Sequence, residues 1–534
     1  MFVVHPPADI LARLAFWGVL LNLTALTVSL WVCRRSLAAV LAEPGKPVWA
    51  GLLILMAAGT VFQVMTIAPK HLVYLDEQWY LEAAKNLLLR GFAPGFSKAL
   101  GWPVLVAGSY LLMGLGNYSA IYTGMAIGTV SIAVLFVLAW VMTRCSACAL
   151  FAAALWTFLP ARLVWSATAE TAVPALTFML GALCLWRRCC DTGNRYELWS
   201  GILAWGMAVQ IRPEAGMFLV LFVVSVWLWR HAESRKILAA GLGRAAATAL
   251  LVLPNLLIYY RFMSARDWMA VDSGGLAQGS NLGLGNMVRN TFELLPRFWD
   301  GSMHPAALSL AAAAGFVYLV WRRRRDAAFL AAWAGLLYAF YFGSNLDFYG
   351  GTTDLFPKTK LLLHFGPVLV LTASCGFCAA YWERWGRAAQ VGVLSLAAAL
   401  VWGWPASLAS WPLRNDSREL ETRMLADLGR LVPEGCMLVA AAPTMAGAAN
   451  RLPVVAANDF LVAGPLRPVV SAGTRCVLFL DDLSCRLGLP DLARTCVAMK
   501  RRFSLEPFIH FSQGASRYTL YTIKPLPQAG TAKQ

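Results

Sequence analysis

The sequence predicts a polytopic α-helical membrane protein that ends in a small α/β domain. Of its 534 residues 59% are hydrophobic and only 14% are charged, a profile too apolar for a soluble chain of this length. Apolar stretches recur along most of the chain, and those of about 20 residues match the hydrocarbon thickness of a bilayer. After Trp411 the pattern changes, because charged residues become regular and apolar runs shorten.

The expected spans are residues 11–33, 47–68, 117–142, 147–165, 171–186, 198–211, 213–229, 237–260, 305–321, 327–343, 361–381 and 389–410, about 12 helices in all. Residues 1–411 form the membrane domain, in which 69–116 is a first large outer loop with amphipathic helices. Residues 412–525 form the α/β domain, and 526–534 are expected as a disordered tail. Within that domain Ser417 to Leu431 has helical spacing, while Cys436 to Ala441, Arg475 to Asp481 and Tyr518 to Ile523 read as strands.

A net charge of +17 would fit a nucleic-acid binder if it formed one patch. Instead it is spread over short loops: Arg34-Arg35, Lys46, Arg144, Arg187-Arg188 with Arg195, Arg230 with Arg235-Lys236, Arg322 to Arg325, and Arg384 with Arg387. These loops share one side of the predicted topology, as the positive-inside rule requires of cytoplasmic loops. The charge therefore records orientation, and no nucleic-acid partner is expected. Residues 69–116, 262–304, 344–360 and everything after 411 fall on the outer, periplasmic side of a bacterial inner membrane. The N-terminus is expected on that side too. The first span has neither the basic flank nor the small-residue cleavage site of a signal peptide.

Four cations break the charge rule. Lys98, Arg212, Lys358 and Lys360 fall at the outer boundary, where topology alone would not put them. Each taken singly is explained by snorkelling to the interface. Together they suit an anionic head group. Asp76 and Glu77 stand side by side on the same face, in Tyr74-Leu-Asp-Glu-Gln-Trp-Tyr80. A solvated first helical turn explains such a pair, but ionisable residues at a membrane boundary are by default functional.

In order along the chain, these residues resemble the GT-C-type membrane glycosyltransferases. That superfamily includes the protein O-mannosyltransferases, the bacterial aminoarabinose transferase of lipid A and the lipid-linked sugar transferases of polysaccharide assembly. The resemblance rests on the Asp76-Glu77 pair in the first outer loop, Ala84-Lys-Asn86, Lys98 before Gly101-Trp-Pro103, Pro160 through Ser166 to Glu170, and Arg212-Pro-Glu214. It covers residues 47 to 400 and is carried by the order of short motifs. The chain departs from the family in its extra first span, and in having Lys360 and His364 where the family usually has Arg-Tyr.

The resemblance implies transfer of a sugar from a polyprenyl-phosphate donor to a glycan, lipid or protein acceptor, in a single inverting displacement. Asp76 is then the general base for the acceptor hydroxyl, and Glu77 orients the acceptor or holds a metal. Lys98, Lys358, Lys360 and Arg212 hold the donor phosphate, because fixed cations aimed at developing charge are a large catalytic term. Tyr80, Glu170, His364 and His71 are further candidates. Asp76, Glu77 and Glu170 offer oxygen ligands for a divalent metal, with His71 and His364 as nitrogen ligands, although no tight ligand spacing demands one. A glycine-rich loop between Arg261 and Pro305 reads as a cover for the site. A transporter or flippase of a lipid-linked sugar is the alternative, since intramembrane charges also mark transport paths.

The 12 cysteines divide in the same way as the chain. Those in or beside spans behave as small apolar residues. Cys436, Cys476, Cys485 and Cys496 lie in the outer domain, where an oxidising compartment allows disulfides. Of the three connectivities that four cysteines allow, the pairing of Cys485 with Cys496 is favoured because it closes a short loop.

Overall fold

A computed structural model describes residues 8–66, 75–91, 98–115, 117–230, 234–264, 283–301, 303–344 and 362–382. Towards the C-terminus it describes 403, 424, 427–428, 430–441, 454–457, 460–461, 476–481, 485, 490–513 and 516–525. The expected span at 389–410, all but one of its residues, and the expected tail at 526–534 lie outside these residues, as does the glycine-rich part of the loop before Pro305.

The chain is a multi-pass helical membrane protein. It begins with α1 (Ala8–Val32), α2 (Arg34–Ala42) and α3 (Lys46–Thr66), followed by α4 (Leu75–Arg90) and α5 (Gly101–Met113). The central helices are α6 (Asn117–Thr143), α7 (Ser146–Thr157), α8 (Pro160–Ser166), α9 (Ala172–Thr192) and α10 (Arg195–Ile211). A 3-10 turn (Pro213–Phe218) leads to α11 (Leu219–Trp229), then α12 (Ser234–Ser264), α13 (Leu284–Leu294), α14 (Ala306–Arg322), α15 (Arg324–Leu337) and α16 (Gly366–Trp382). Among the described residues five helices are long and apolar enough to cross a membrane, or six if the bent α7–α8 pair is one span. Several other expected spans are shorter. α14, at 17 residues, is about 26 Å long at 1.5 Å per residue, just under the ~30 Å of a hydrocarbon core.

The span expected at 147–165 is broken. α7 and α8 meet at 61°, because Pro160 has no N–H to donate and its ring clashes with the carbonyl four residues back. Pro160 instead opens α8 as its first residue. Arg162 holds the break from inside the bundle, donating to the carbonyls of Thr157 and Gly128, each at 2.9 Å. Its side chain is fully buried. The residues after α8 lie directly on α6, where Gly124 and Gly128 stand one turn apart. A Cβ on Gly124 would come within 2.5 Å of the Thr168 carbonyl oxygen, and one on Gly128 would overlap the Ser166 side chain. Small residues at this spacing let backbones approach closely inside a membrane bundle.

The basic loops gather at one end of the bundle, as their expected common side requires. Arg144, after α6, pairs with Glu43 at 2.7 Å and with Asp191 at 3.5 Å, while Arg187 also pairs with Asp191. Arg230 donates to the Asp191 carbonyl at 2.9 Å, and Arg323 to that of Thr143 at 3.3 Å. The buried Arg188–Glu197 pair, at 2.6 Å, sits in the same region. Ser36 and Thr192 each donate to Glu197 at 2.7 Å, so the charge taken from water keeps its hydrogen bonds.

The C-terminal domain holds a five-stranded sheet in the order β2-β1-β3-β5-β4. Its strands are β1 (Cys436–Ala440), β2 (Val454–Ala456), β3 (Cys476–Asp481), β4 (Phe503–Gln513) and β5 (Ser516–Pro525). β2, β1 and β3 run parallel, whereas β5 is antiparallel to both β3 and β4. One helix, α17 (Pro490–Arg502), packs its Cys496 and Met499 against Val439, Phe479 and Phe503 of the sheet. β2, β4 and α17 were not among the expected elements. Disulfides join Cys485 to Cys496, as expected, and Cys436 to Cys476. The latter two are register partners on neighbouring strands. Asp481 stands at the end of β3. It is buried and pairs with Lys500 at 2.6 Å, because α17 returns across the end of β3.

Replacing Gly124 by Val should destabilise the protein by about 1–3 kcal/mol, since the atoms it would meet are backbone and cannot turn away. Thermal unfolding in detergent checks this against Gly181→Ala, where an added Cβ meets nothing within 4 Å and a small gain of up to about 1 kcal/mol is expected. Equal melting of Gly124→Val and the wild type would contradict this packing.

Candidate functional site

The turn between α8 and α9, residues 167–171, is the place where the expected site residues meet. Thr168 Oγ1 donates to the Trp165 carbonyl at 2.8 Å and accepts from the Glu170 amide at 3.3 Å. The Glu170 carboxylate accepts from the Thr171 amide at 3.2 Å. The chain is thus wound into a short polar turn at the N-terminal end of α9, about 25 Å along that helix from Arg188. Gln63 of α3 steadies it from behind, donating to the Leu163 carbonyl at 2.7 Å and to Ser166 Oγ.

Two neighbouring helices hold the Ala169 peptide from both sides. Glu77 of α4 accepts the Ala169 N–H at 3.0 Å, and Trp102 of α5 donates its indole N–H to the Ala169 carbonyl at 2.5 Å. Glu77 and Trp102 are fully buried. A carboxylate placed there costs desolvation unless it is hydrogen-bonded, and a charge-assisted bond to a backbone amide is one of the stronger ways to satisfy it.

Lys98 stands where α4 meets the start of α5. Its ammonium lies 4.6 Å from the ring centre of Trp79 and 5.3 Å from that of Tyr80, a placement in which the ring quadrupoles attract a cation. The turn carrying Lys98 is tied down by the Leu100 amide, which donates to Asn255 of α12 at 2.8 Å. Gly101 brings α5 onto α10: a Cβ there would lie 2.6 Å from the Gln210 carbonyl oxygen. Arg212 follows two residues later. It is buried and pairs with Glu214 at 2.5 Å. The Glu214 carboxylate is also within electrostatic reach of His364, whose ring packs 5.5 Å from that of Tyr341.

No protein-family model and no curated protein matches the sequence. Solved structures do match in fold. ArnT from Cupriavidus metallidurans bound to undecaprenyl phosphate aligns over 90% of this chain and 98% of its own, with a TM-score of 0.54 and 14% identity. The archaeal oligosaccharyltransferase AglB from Archaeoglobus fulgidus, in complex with an inhibitory peptide and a dolichol-phosphate, aligns over 87% of this chain and 74% of its own. Its TM-score is 0.52 and its identity 11%. The chain has the GT-C fold.

Within this GT-C fold the expected residues fall into two neighbouring groups. Glu77, Tyr80, Lys98 and Glu170 gather at the α4, α5 and 167–171 junction, while Arg212 and His364 gather with Glu214. Asp76 belongs to α4 by its backbone, and its side chain lies outside the described residues, as do His71, Lys358 and Lys360. Among the described residues no three His, Cys, Asp or Glu side chains gather to hold a metal. Of the expected metal ligands Asp76, Glu77 and Glu170, Glu77 gives one oxygen to the Ala169 amide and Glu170 gives one to Thr171. The sequence reading missed Trp102, Gln63, Trp79 and Glu214. Glu214 was visible only as part of the Arg212-Pro-Glu214 motif, and Trp102 only as part of Gly101-Trp-Pro103.

Glu77→Ala should lower stability by about 1–3 kcal/mol, the cost of leaving a buried amide without its acceptor. Glu77→Gln keeps a side-chain oxygen there and should retain most of that stability. Thermal unfolding of both variants in one detergent checks the contrast; a wild-type melt for Glu77→Ala would show that the Ala169 peptide needs no such support.

Proposed function

We propose that the chain is a membrane glycosyltransferase that moves a sugar from a polyprenyl-phosphate donor to an acceptor at the outer face of the inner membrane. The observation that carries this reading is the junction itself. α4, which bears Asp76 and Glu77, is docked through Glu77 onto the 167–171 turn, and Lys98 lies against the next turn of the same helix. The solved structures with this fold include one bound to undecaprenyl phosphate and one holding a dolichol-phosphate, which supports a donor of that class. The gathering of basic loops at the far end of the bundle supports an outer location for the junction.

In this reading Asp76 accepts the proton of the acceptor hydroxyl as that oxygen attacks the anomeric carbon. The bond from that carbon to the phosphate oxygen breaks on the opposite side, so the configuration inverts and polyprenyl phosphate departs. Lys98 meets the charge that develops on the phosphate, with Lys358, Lys360 and Arg212 as further cations for it. The pair with Glu214 holds the Arg212 guanidinium in place. Neighbouring residues on a helix project about 100° apart, which favours separate tasks for the two acids. Glu77 is a positioning residue, and Asp76 carries the proton transfer.

Asp76→Asn should lower sugar transfer by about 10²–10⁴-fold, the usual worth of a general base, with membrane abundance unchanged. Lys98→Ala should lower it by about 10²-fold, the lower end of the worth of one electrostatic contact in a transition state. The assay uses purified protein in liposomes with a radiolabelled polyprenyl-phosphate sugar. Transfer at the normal rate by Asp76→Asn would overturn the assignment of the base. Movement of the intact lipid-linked sugar across the bilayer, without its consumption, would favour a transporter.

A further inference from the structure

We propose that Asn255 of α12 is a positioning residue: it ties the turn that carries Lys98 to α1, so that the first helix helps to set where a donor phosphate binds. This rests on the role proposed above for Lys98 as a cation for that phosphate. Asn255 is fully buried and directly follows Pro254 inside α12. Its Oδ1 accepts the Leu100 N–H at 2.8 Å, and its Nδ2 donates to the Ala15 carbonyl of α1 at 3.3 Å. These partners fix which way the amide points, since a backbone N–H can only donate and a carbonyl can only accept.

The start of α5 draws this acceptor from another helix because its own sequence supplies none. Leu100 is the N-cap of α5 and makes no side-chain cap. In a capping box the third residue of the helix, a Glu or Gln, reaches back to the N-cap amide. Here that residue is Pro103, which cannot. Leu100 is buried, so losing Asn255 would leave its amide without the acceptor it has now. Lys98 stands two residues earlier, with its ammonium against the rings of Trp79 and Tyr80 of α4. The rings act on the charged end of Lys98, and Asn255 acts on the backbone that carries it.

Close backbone contacts make the anchor firm. A Cβ on Gly18 of α1 would overlap the Leu251 carbonyl oxygen of α12, one turn before Asn255. Gln210 of α10, also fully buried, donates to that same carbonyl at 3.0 Å and accepts from Asn22 of α1 at 3.0 Å. The Gln210 carbonyl is in turn the group against which Gly101 is seated. α1, α10 and α12 therefore form one seat for the start of α5. Buried amides often serve only to hold helices together in a membrane bundle, and Asn22 does so between α1 and α10. Asn255 differs because one of its two bonds goes to the turn beside Lys98.

The test is a double-mutant cycle on the full-length protein in detergent, with undecaprenyl phosphate as the probe and binding read by native mass spectrometry. Asn255→Leu and Lys98→Ala should each weaken binding by about tenfold, within the range of coupled neighbours. The double variant should bind as Lys98→Ala does, because once the ammonium is gone its placement no longer matters. Asn255→Ala loses the same two bonds without adding bulk, and it should show the same dependence on Lys98 where the leucine variant does not fold. Ser29→Ala removes bonds from α1 to Ser200 and to the Tyr196 carbonyl, about 21 Å along the helix from Ala15, and should leave binding unchanged. Losses that multiply to about a hundredfold in the double variant, or wild-type binding by folded Asn255→Leu, would overturn this inference and leave Lys98 in its role. Wild-type binding by Lys98→Ala would overturn the phosphate site itself, and the inference with it.

Discussion

The hydrogen bond from the Ala169 amide to the Glu77 carboxylate is the constraint on which the candidate site depends. It joins α4, which is otherwise only weakly amphipathic, to a turn that is itself seated on the backbone of α6. The indole of Trp102 completes the clamp by taking the carbonyl of the same peptide, so that α4 and α5 are referred to one peptide group. Lys98, between those two helices, lies against the rings of Trp79 and Tyr80 of α4.

The seat for this clamp comes from a fault in the helix pattern. A continuous span over 147–165 would carry residues 166–171 away from α6. Pro160 stops it, Arg162 satisfies the Thr157 carbonyl at the break and reaches across to the Gly128 carbonyl of α6, and Gly124 and Gly128 leave room for the turn that follows. A buried arginine held by backbone carbonyls is costly unless each of those contacts is made. The bundle therefore has two polar ends of different character. One is a network of arginines and acids around Asp191 and Glu197, rich in basic residues. The other is the junction where Glu77 and Trp102 hold the Ala169 peptide and Lys98 lies against aromatic rings.

Much of the membrane domain was legible because bilayer thickness imposes one simple signal, an apolar run of fixed length. α1, α3, α6, α9 and α12 answer to it. The break at Pro160 was hidden because the apolar run continues through it, although the proline itself was in view. Gly124 and Gly128 were missed because small residues in an apolar run do not change its hydropathy; their spacing of four was the available signal. The separate role of Glu77 could not be read from the adjacent pair, since sequence does not say which of two acids a distant backbone amide will claim. In the C-terminal domain the short, apolar β1 and β3 were legible. β4, which carries Glu506, His510 and a register shift at Pro507/Ile509, was not, because its alternation is interrupted by that shift.

The account comes down to where a lipid phosphate binds. The most direct measurement is a cryo-electron microscopy map of the protein reconstituted with a polyprenyl phosphate. The account predicts phosphate density at the junction of α4 and α5, in contact with Lys98 and on the same side as the 167–171 turn. Phosphate density seated instead among Arg187, Arg230 and Arg323, at the opposite end of the bundle, would contradict it.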